Sequence, residues 1–384
     1  MLPSPKELRT TLKESYEGHF SYELLLLVLI LALAGSAMIF SASYAYAEVR
    51  YGTPYYFIFR QSIWLFVGIG VMLALSSIPI HAIRLLSPSL YGITLLLLIA
   101  VLVIGSTGNG AQRWISLGPI TLQPSEIAKT TLVLILAYYY DKNAERCFTV
   151  RGRNSFVFGT LLPFLLIGAI CLLVMLQKHL SGLIIIGCIG VSVMFLSGIR
   201  LRYLGILGAL ASLGVTALAL FTDYTKRRIT IWQNPELYPL DGGWQTLQGL
   251  MAIGSGGFWG RGFGKSWLKH SYVSEPANDM IFTILCEELG FIGAFATLFL
   301  FVLFIWRVFR LSLFTSGTFE RLVTLGIGCK VGIQVLLNVA VVTNTIPNTG
   351  ISLPFFSYGG SSLLMLFAEM GILLSISRSA KIND

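Results

Sequence analysis

Three carboxylates stand where carboxylates are uncommon. Asp279 closes the polar string Glu275-Pro276-Ala277-Asn278, and Glu287 and Glu288 lie side by side in the apolar run that follows. A carboxylate in the position of Asp279 can cap the free N–H groups that open a helix. It can equally act as a general base that takes a proton from an attacking hydroxyl. Both readings stay open for Asp279. Glu287, Glu288 and Glu369 sit inside apolar runs, where a charge is costly and normally faces a partner or a wet cavity. Glu126 and Lys129, spaced i, i+3, can pair with one another and fix helix packing. The same set, Glu126, Lys129, Glu287 and Glu369, could line an ion or solute path.

Cations accompany these acids. Arg113, Lys178, Lys226, Arg227, Arg228, Arg261, Lys265 and Lys269 fall in segments that belong to one side of the chain's topology. Dispersed, they would only be drawn to anionic lipid. Brought together, they would bind phosphate or pyrophosphate. Between them runs Gly254-Ser255-Gly256-Gly257-Phe258-Trp259-Gly260-Arg261-Gly262-Phe263-Gly264-Lys265-Ser266. Its Gly-Lys-Ser end resembles a phosphate-binding loop, but the glycine required five positions before the last one is Trp259 here. Two readings survive: a tight aromatic loop on a bilayer surface, or glycines that bring backbone N–H groups to an anionic headgroup.

The elements that must hold these residues are membrane helices. Of 384 residues, 55% are hydrophobic and 12% charged, about half the charge of an ordinary soluble domain. The runs Leu24 to Phe40, Phe156 to Leu176, Tyr203 to Phe221 and Ile281 to Trp306 approach or exceed the roughly 20 residues that cross a bilayer as a helix. Without period-two alternation they are helices and not barrel strands. Shorter runs at Ser62 to Ser76, Leu90 to Ile104, Ile127 to Tyr139, Ser181 to Leu196, Leu322 to Val342 and Leu363 to Ile376 bring the expectation to about ten spans in one all-α membrane domain over 1–384.

Basic connections stay in the cytoplasm. Lys6, Arg9 and Lys13 precede the first span, and Arg84, Lys142 with Arg146, Arg200 with Arg202, Arg307 with Arg310, and Arg378 recur at alternate connections. Both termini are therefore expected inside, with 1–20 a cytoplasmic segment and 222–280 a large extracytoplasmic loop between the seventh and eighth spans. The net charge of +9 reflects this topology and gives no reason to expect nucleic acid. No small-residue cleavage site follows the first span, so a removable leader is not expected. Cys147, Cys171, Cys188, Cys286 and Cys329 lack a CxxC pair and read as reduced packing thiols. Gly328 and Gly332 have the GxxxG spacing that lets helices approach; with 39 glycines in the chain, chance accounts for it.

Over nearly its whole length the sequence resembles the SEDS family (shape, elongation, division and sporulation). The landmarks are Arg113-Trp114-Ile115, Gln123-Pro124-Ser125-Glu126 with Lys129, Gln245, Ala252-Ile253-Gly254-Ser255-Gly256-Gly257, Asp279, Glu287-Glu288-Leu289-Gly290, Asn338 to Pro347, and Ser357-Tyr358-Gly359-Gly360-Ser361-Ser362. Two departures stand out. Asn278 occupies the place of a histidine in the pattern before the acid, and Gln177-Lys178-His179-Leu180 replaces Gln-Pro-Asp-Leu. The closing segment Thr343 to Ser357 looks closer to FtsW and its sporulation relatives than to RodA.

The resemblance implies a peptidoglycan glycosyltransferase that polymerises lipid II on the outer face of the bacterial cytoplasmic membrane, with a lipid II flippase or transporter as the alternative. It implies Asp279 as the catalytic base. Arg113, Lys178, Arg227, Arg228, Gln245, Gly256, Gly257, Arg261, Lys265, Ser357 and Ser361 form the implied substrate-binding set, and Glu126, Lys129, Glu287 and Glu288 the implied cavity or structural set. A divalent cation, Mg or Mn, is the one cofactor considered. A class B penicillin-binding protein and the division or elongation machinery are the implied partners.

Overall fold

The structure is a computed structural model that describes residues 20–108, 111–118, 120–149, 156–200, 202–206, 208–209, 223–239, 242–269 and 276–380. Its first helix, α1 (Tyr22–Tyr51), starts where the Ser21 hydroxyl accepts from the N–H of Leu24, and stops at Gly52, whose left-handed backbone returns an N–H to the Glu48 carbonyl. This is an ordinary glycine helix stop. α2 (Tyr56–Ser76) and α3 (Ile80–Ile104) follow, with Pro79 at the turn between them. Later come α4 (Pro124–Lys142), α5 (Leu162–Leu176), α6 (Leu180–Leu196), α7 (Asp223–Gln233), α8 (Gly243–Gly256), α9 (Ile281–Leu313), α10 (Thr318–Val342) and α11 (Gly360–Ser379).

Among the described residues, seven helical stretches are long and apolar enough to cross a membrane: α1, α2, α3, Val157–Leu176 (which contains α5), α9, α10 and α11, with α6 a shorter apolar helix. The expected span over Ile127 to Tyr139 is α4, which is far less apolar. From Pro124 to Ala137 its side chains are buried, Ile127 excepted. Protein, not lipid, surrounds α4, so its neighbours can satisfy polar groups that hydrocarbon could not. The expected span Tyr203 to Phe221 lies mostly outside the described residues.

The all-α expectation stands, with one small addition: Ser106–Gly108, Ala111–Leu117 and Ile120–Leu122 form an antiparallel three-stranded meander, with Ile115 opposite Leu122. Within the connection at 222–280, α7, a 3₁₀ turn at Pro235–Leu237 and α8 give much of the chain helical structure. Glycines set the closest helix approaches. A methyl group on Gly256 of α8 would overlap the backbone of Cys286 in α9, and one on Gly371 of α11 would meet the backbone of Met72 in α2. Gly328 and Gly332 also do packing work, against Val308 and Ile305 of α9. All five cysteines are free thiols.

Candidate active site

Asp279 sits in a turn that neighbouring elements fasten through its backbone. The Asn338 amide of α10 donates to the Asp279 carbonyl at 2.9 Å and to the Ile351 carbonyl at 2.7 Å. The Ser357 hydroxyl donates to the Asn278 carbonyl at 2.6 Å and accepts from the Leu353 N–H at 2.7 Å. The Tyr358 N–H donates to the Ala277 carbonyl at 2.8 Å. Three consecutive peptide units are thus held by α10 and the 351–358 segment, which leaves the carboxylate to be aimed by rigid surroundings. Helix α9 begins at Ile281, and its cap position, Met280, makes no side-chain capping bond. Asp279 stands one residue before that cap position. Beside it, a side chain on Gly350 would meet the Asp279 carboxylate, so glycine at 350 keeps that edge open.

The carboxylate lines a cavity of about 820 Å3 that also takes Arg60 and Trp64 from α2, Arg113 from the central strand, Glu126 and Lys129 from α4, and Ser361 from the start of α11. Lys129 and Glu126 pair at 2.7 Å and are almost fully buried. His179, at the turn into α6, forms part of the wall. Burial, helped by the Arg113 and Lys129 charges and opposed by Glu126, pushes its imidazole pKa down to about 3. It is neutral there. Burial likewise raises the Tyr358 phenol, against the opposing charge of Arg60. Among the described residues, the ionisable groups of opposite sign in the wall are three cations, Arg60, Arg113 and Lys129, against two acids, Asp279 and Glu126. Such a pocket favours an anionic group beside a carboxylate that can take a proton.

The sequence-predicted residues divide. Asp279, Arg113, Glu126, Lys129 and Ser361 meet in the cavity, whereas Ser357 fastens the turn beneath it. Lys178 contributes its backbone carbonyl to Arg113 Nη2 at 2.9 Å and keeps its own side chain exposed. Arg228 reaches the Asn348 carbonyl at 2.6 Å near the rim, and Arg227 is exposed on the same helix. Gln245, Gly256, Gly257, Arg261 and Lys265 do not line the cavity.

The glycine-rich segment meets a different anion. The N–H groups of Gly264 and Ser266 donate to Glu288 at 3.0 and 3.3 Å, and that of Trp267 to Glu287 at 2.9 Å. The backbone N–H groups of Arg261 and Gly262 fill the Glu287 and Glu288 carbonyls, which Gly290 frees by breaking the helix at φ 65°. In return, Phe291 and Ile292 donate to the Gly257 and Phe258 carbonyls. Of the glycines, Gly264 gives its N–H to the chain's own Glu288 carboxylate, and Gly260 and Gly262 give theirs to the Gly256 and Glu288 carbonyls, so these three N–H groups are already engaged within the chain. Lys269, an expected outward cation, is fully buried against Glu288 at 2.7 Å. Arg261 approaches Glu287 at 3.9 Å and lies over the Trp267 ring.

Sequence reading missed Arg60, His179 and Lys330. Lys330 of α10 pairs with Glu369 of α11, which also receives the Thr130 hydroxyl. A lysine in one apolar run and a glutamate without a local partner in the next were the available signal.

The family model described as "Cell cycle protein" (FtsW/RodA/SpoVE) matches residues 22–382. Stage V sporulation protein E of Bacillus subtilis is 35% identical over 361 residues, covering 93% of this chain and 97% of the relative. A probable peptidoglycan glycosyltransferase FtsW of Geobacter sulfurreducens is 35% identical over 365 residues, covering 94% and 96%. Among solved structures, a chain from work on a peptidoglycan synthase complex that coordinates polymerization and crosslinking superposes with TM-score 0.78 at 30% identity, covering 95% of this chain and 99% of that one. The rod shape determining protein RodA of Thermus thermophilus gives 0.70 at 30% identity, covering 95% and 98%.

Proposed function

The chain belongs to the FtsW/RodA/SpoVE family of cell cycle proteins, and from that membership we propose that it is a peptidoglycan glycosyltransferase which polymerises lipid II. The observation that carries the reading is Asp279, fastened through its backbone and opening on a cavity with Arg60, Arg113 and Lys129. Asp279 accepts the proton of the acceptor sugar's C4 hydroxyl as that oxygen bonds to C1 of the donor. The C1–O bond to the polyprenyl pyrophosphate breaks, and the electron pair leaves on the pyrophosphate with inversion at C1. Arg60, Arg113 and Lys129 stabilise the charge that develops there. Ser361 and the Glu126–Lys129 pair shape the wall.

The described residues contain no group of three or more His, Cys, Asp and Glu side chains that could hold a metal. A Mg or Mn ion would enter with the substrate's pyrophosphate, as magnesium commonly does, and would neutralise phosphate charge. Adding a chelator to the polymerisation assay tests for it. The partner is a class B penicillin-binding protein, a pairing supported by the likeness to the synthase complex chain, within the division or elongation machinery. The cavity faces outward from the cytoplasmic membrane, with both termini cytoplasmic.

Purified protein, incubated with its transpeptidase and labelled lipid II, should produce glycan ladders. The reading fails if wild type makes none while labelled lipid crosses liposomes, the result a flippase would give. That alternative is not favoured, since Glu369, which a transport path would use, is sealed against Lys330 and Thr130.

A further inference from the structure

A second cavity, of about 210 Å3, lies at the far end of the bundle, lined by Thr160, Arg200 and Tyr203 together with Cys147, Gly159 and Ile199. Helix α4 measures the separation. Glu126 of α4 faces the first cavity, and Tyr140, 14 residues and roughly 21 Å along the helix, donates its hydroxyl to the Gly159 carbonyl at 2.9 Å beside the second. Two wide turns frame this end, Glu145–Thr149 and Val157–Leu161, both with π-type pairing. Such turns often accompany functional sites.

The polar groups there are arranged for a guest. The carbonyls of Phe158 and Gly159 already accept from Tyr139 and Tyr140. Thr160 is 1% exposed, and its hydroxyl has no hydrogen-bond partner. Helical threonines elsewhere in this chain, Thr94, Thr131 and Thr324, donate to the carbonyl four residues back; Thr160 does not. A buried hydroxyl left unmet normally signals a ligand or water. Gly198, with φ 88°, ends α6 and turns the chain so that Arg200 and Tyr203 complete the wall. Arg202 donates to the Tyr203 hydroxyl at 2.8 Å, which orients the phenol and leaves its own proton to give. Among the described residues, no carboxylate lines the cavity. Its volume equals about seven waters of liquid.

We propose that this cavity binds a phosphate group, presented as the headgroup of an anionic phospholipid or as free phosphate. Arg200 supplies the charge, and Thr160 and Tyr203 supply hydroxyl donors. The site does not depend on the reading of the first cavity.

The test uses full-length protein in nanodiscs of phosphatidylcholine with or without phosphatidylglycerol, followed by native mass spectrometry, and a parallel thermal-unfolding series in phosphate against chloride at equal ionic strength. Wild type should retain phosphatidylglycerol, or be stabilised by phosphate, with affinity about tenfold above that of Thr160→Val and Arg200→Gln, as expected for charge-assisted bonds. Thr160→Ser, which keeps the hydroxyl, should behave as wild type. Lipid retention without a phosphate effect assigns the headgroup; the reverse assigns free phosphate. If Arg200→Gln fails to fold, the valine and serine variants decide. Equal retention and equal stabilisation in wild type and Thr160→Val overturn the proposal.

Discussion

Asp279 is positioned through its backbone. Its own carbonyl and those of Ala277 and Asn278 accept hydrogen bonds from Asn338, Tyr358 and Ser357, so the turn is set before substrate arrives. Replacing Asp279 with Asn should lower lipid II polymerisation by about 100-fold or more, the scale of a lost general base, while leaving thermal unfolding nearly unchanged. Full polymerisation by that variant would remove Asp279 from the mechanism. His179 makes a separate prediction. Its pKa is about 3 when folded, against an ordinary 6.5. The unfolded chain therefore binds a proton that the folded chain refuses, and stability should fall as pH drops from about 6.5 toward 3. His179→Gln should flatten that slope in unfolding curves taken between about pH 7 and 4. Asp279 was legible because its neighbours form a motif. Arg60 and His179 were not, because sequence gives the type of a side chain and not which face of a packed helix or turn it crosses to.

At the scale of elements, the glycine-rich segment and α9 form one clamp. Its glycines are not equivalent. A side chain at Gly260, which has φ 79°, would run into the Glu288 and Gly290 backbone, whereas Gly254, inside α8, faces open space. Gly260→Ala should destabilise by about 1–3 kcal/mol or more, and Gly254→Ala should be neutral or stabilise by about 0.5–1 kcal/mol. Equal melting temperatures for the two would contradict the clamp. Breaking its buried ion pair with Lys269→Met should cost about 3–5 kcal/mol by leaving Glu288 unpaired, and adding Glu288→Leu should recover part of that loss. Sequence made the segment look like a surface for a foreign anion. It held the donors and the carboxylates some twenty residues apart, and nothing local says that a helix break at Gly290 folds one onto the other.

At the scale of the whole molecule, membrane character and most helices were legible from apolar runs, because lipid rewards the same surface everywhere along a span. Helix α4 was harder to place, since a helix ringed by protein carries polar residues that its neighbours satisfy. Topology can be checked directly. In a cysteine-free background, Ser116→Cys in the strand meander should react with an impermeant thiol reagent in intact cells, and Glu145→Cys at the other end only after permeabilisation. The opposite pattern would invert the orientation. The break at Gly290 has a last consequence, in the rate at which backbone protons are traded for deuterium. The N–H groups of Arg261, Gly262, Phe291 and Ile292 close bonds across the break, so they open only when α8, the glycine segment and α9 separate together. Exchange there should be as slow as in the buried helices. The stretch of chain with the least regular sequence would then be among the last to let go.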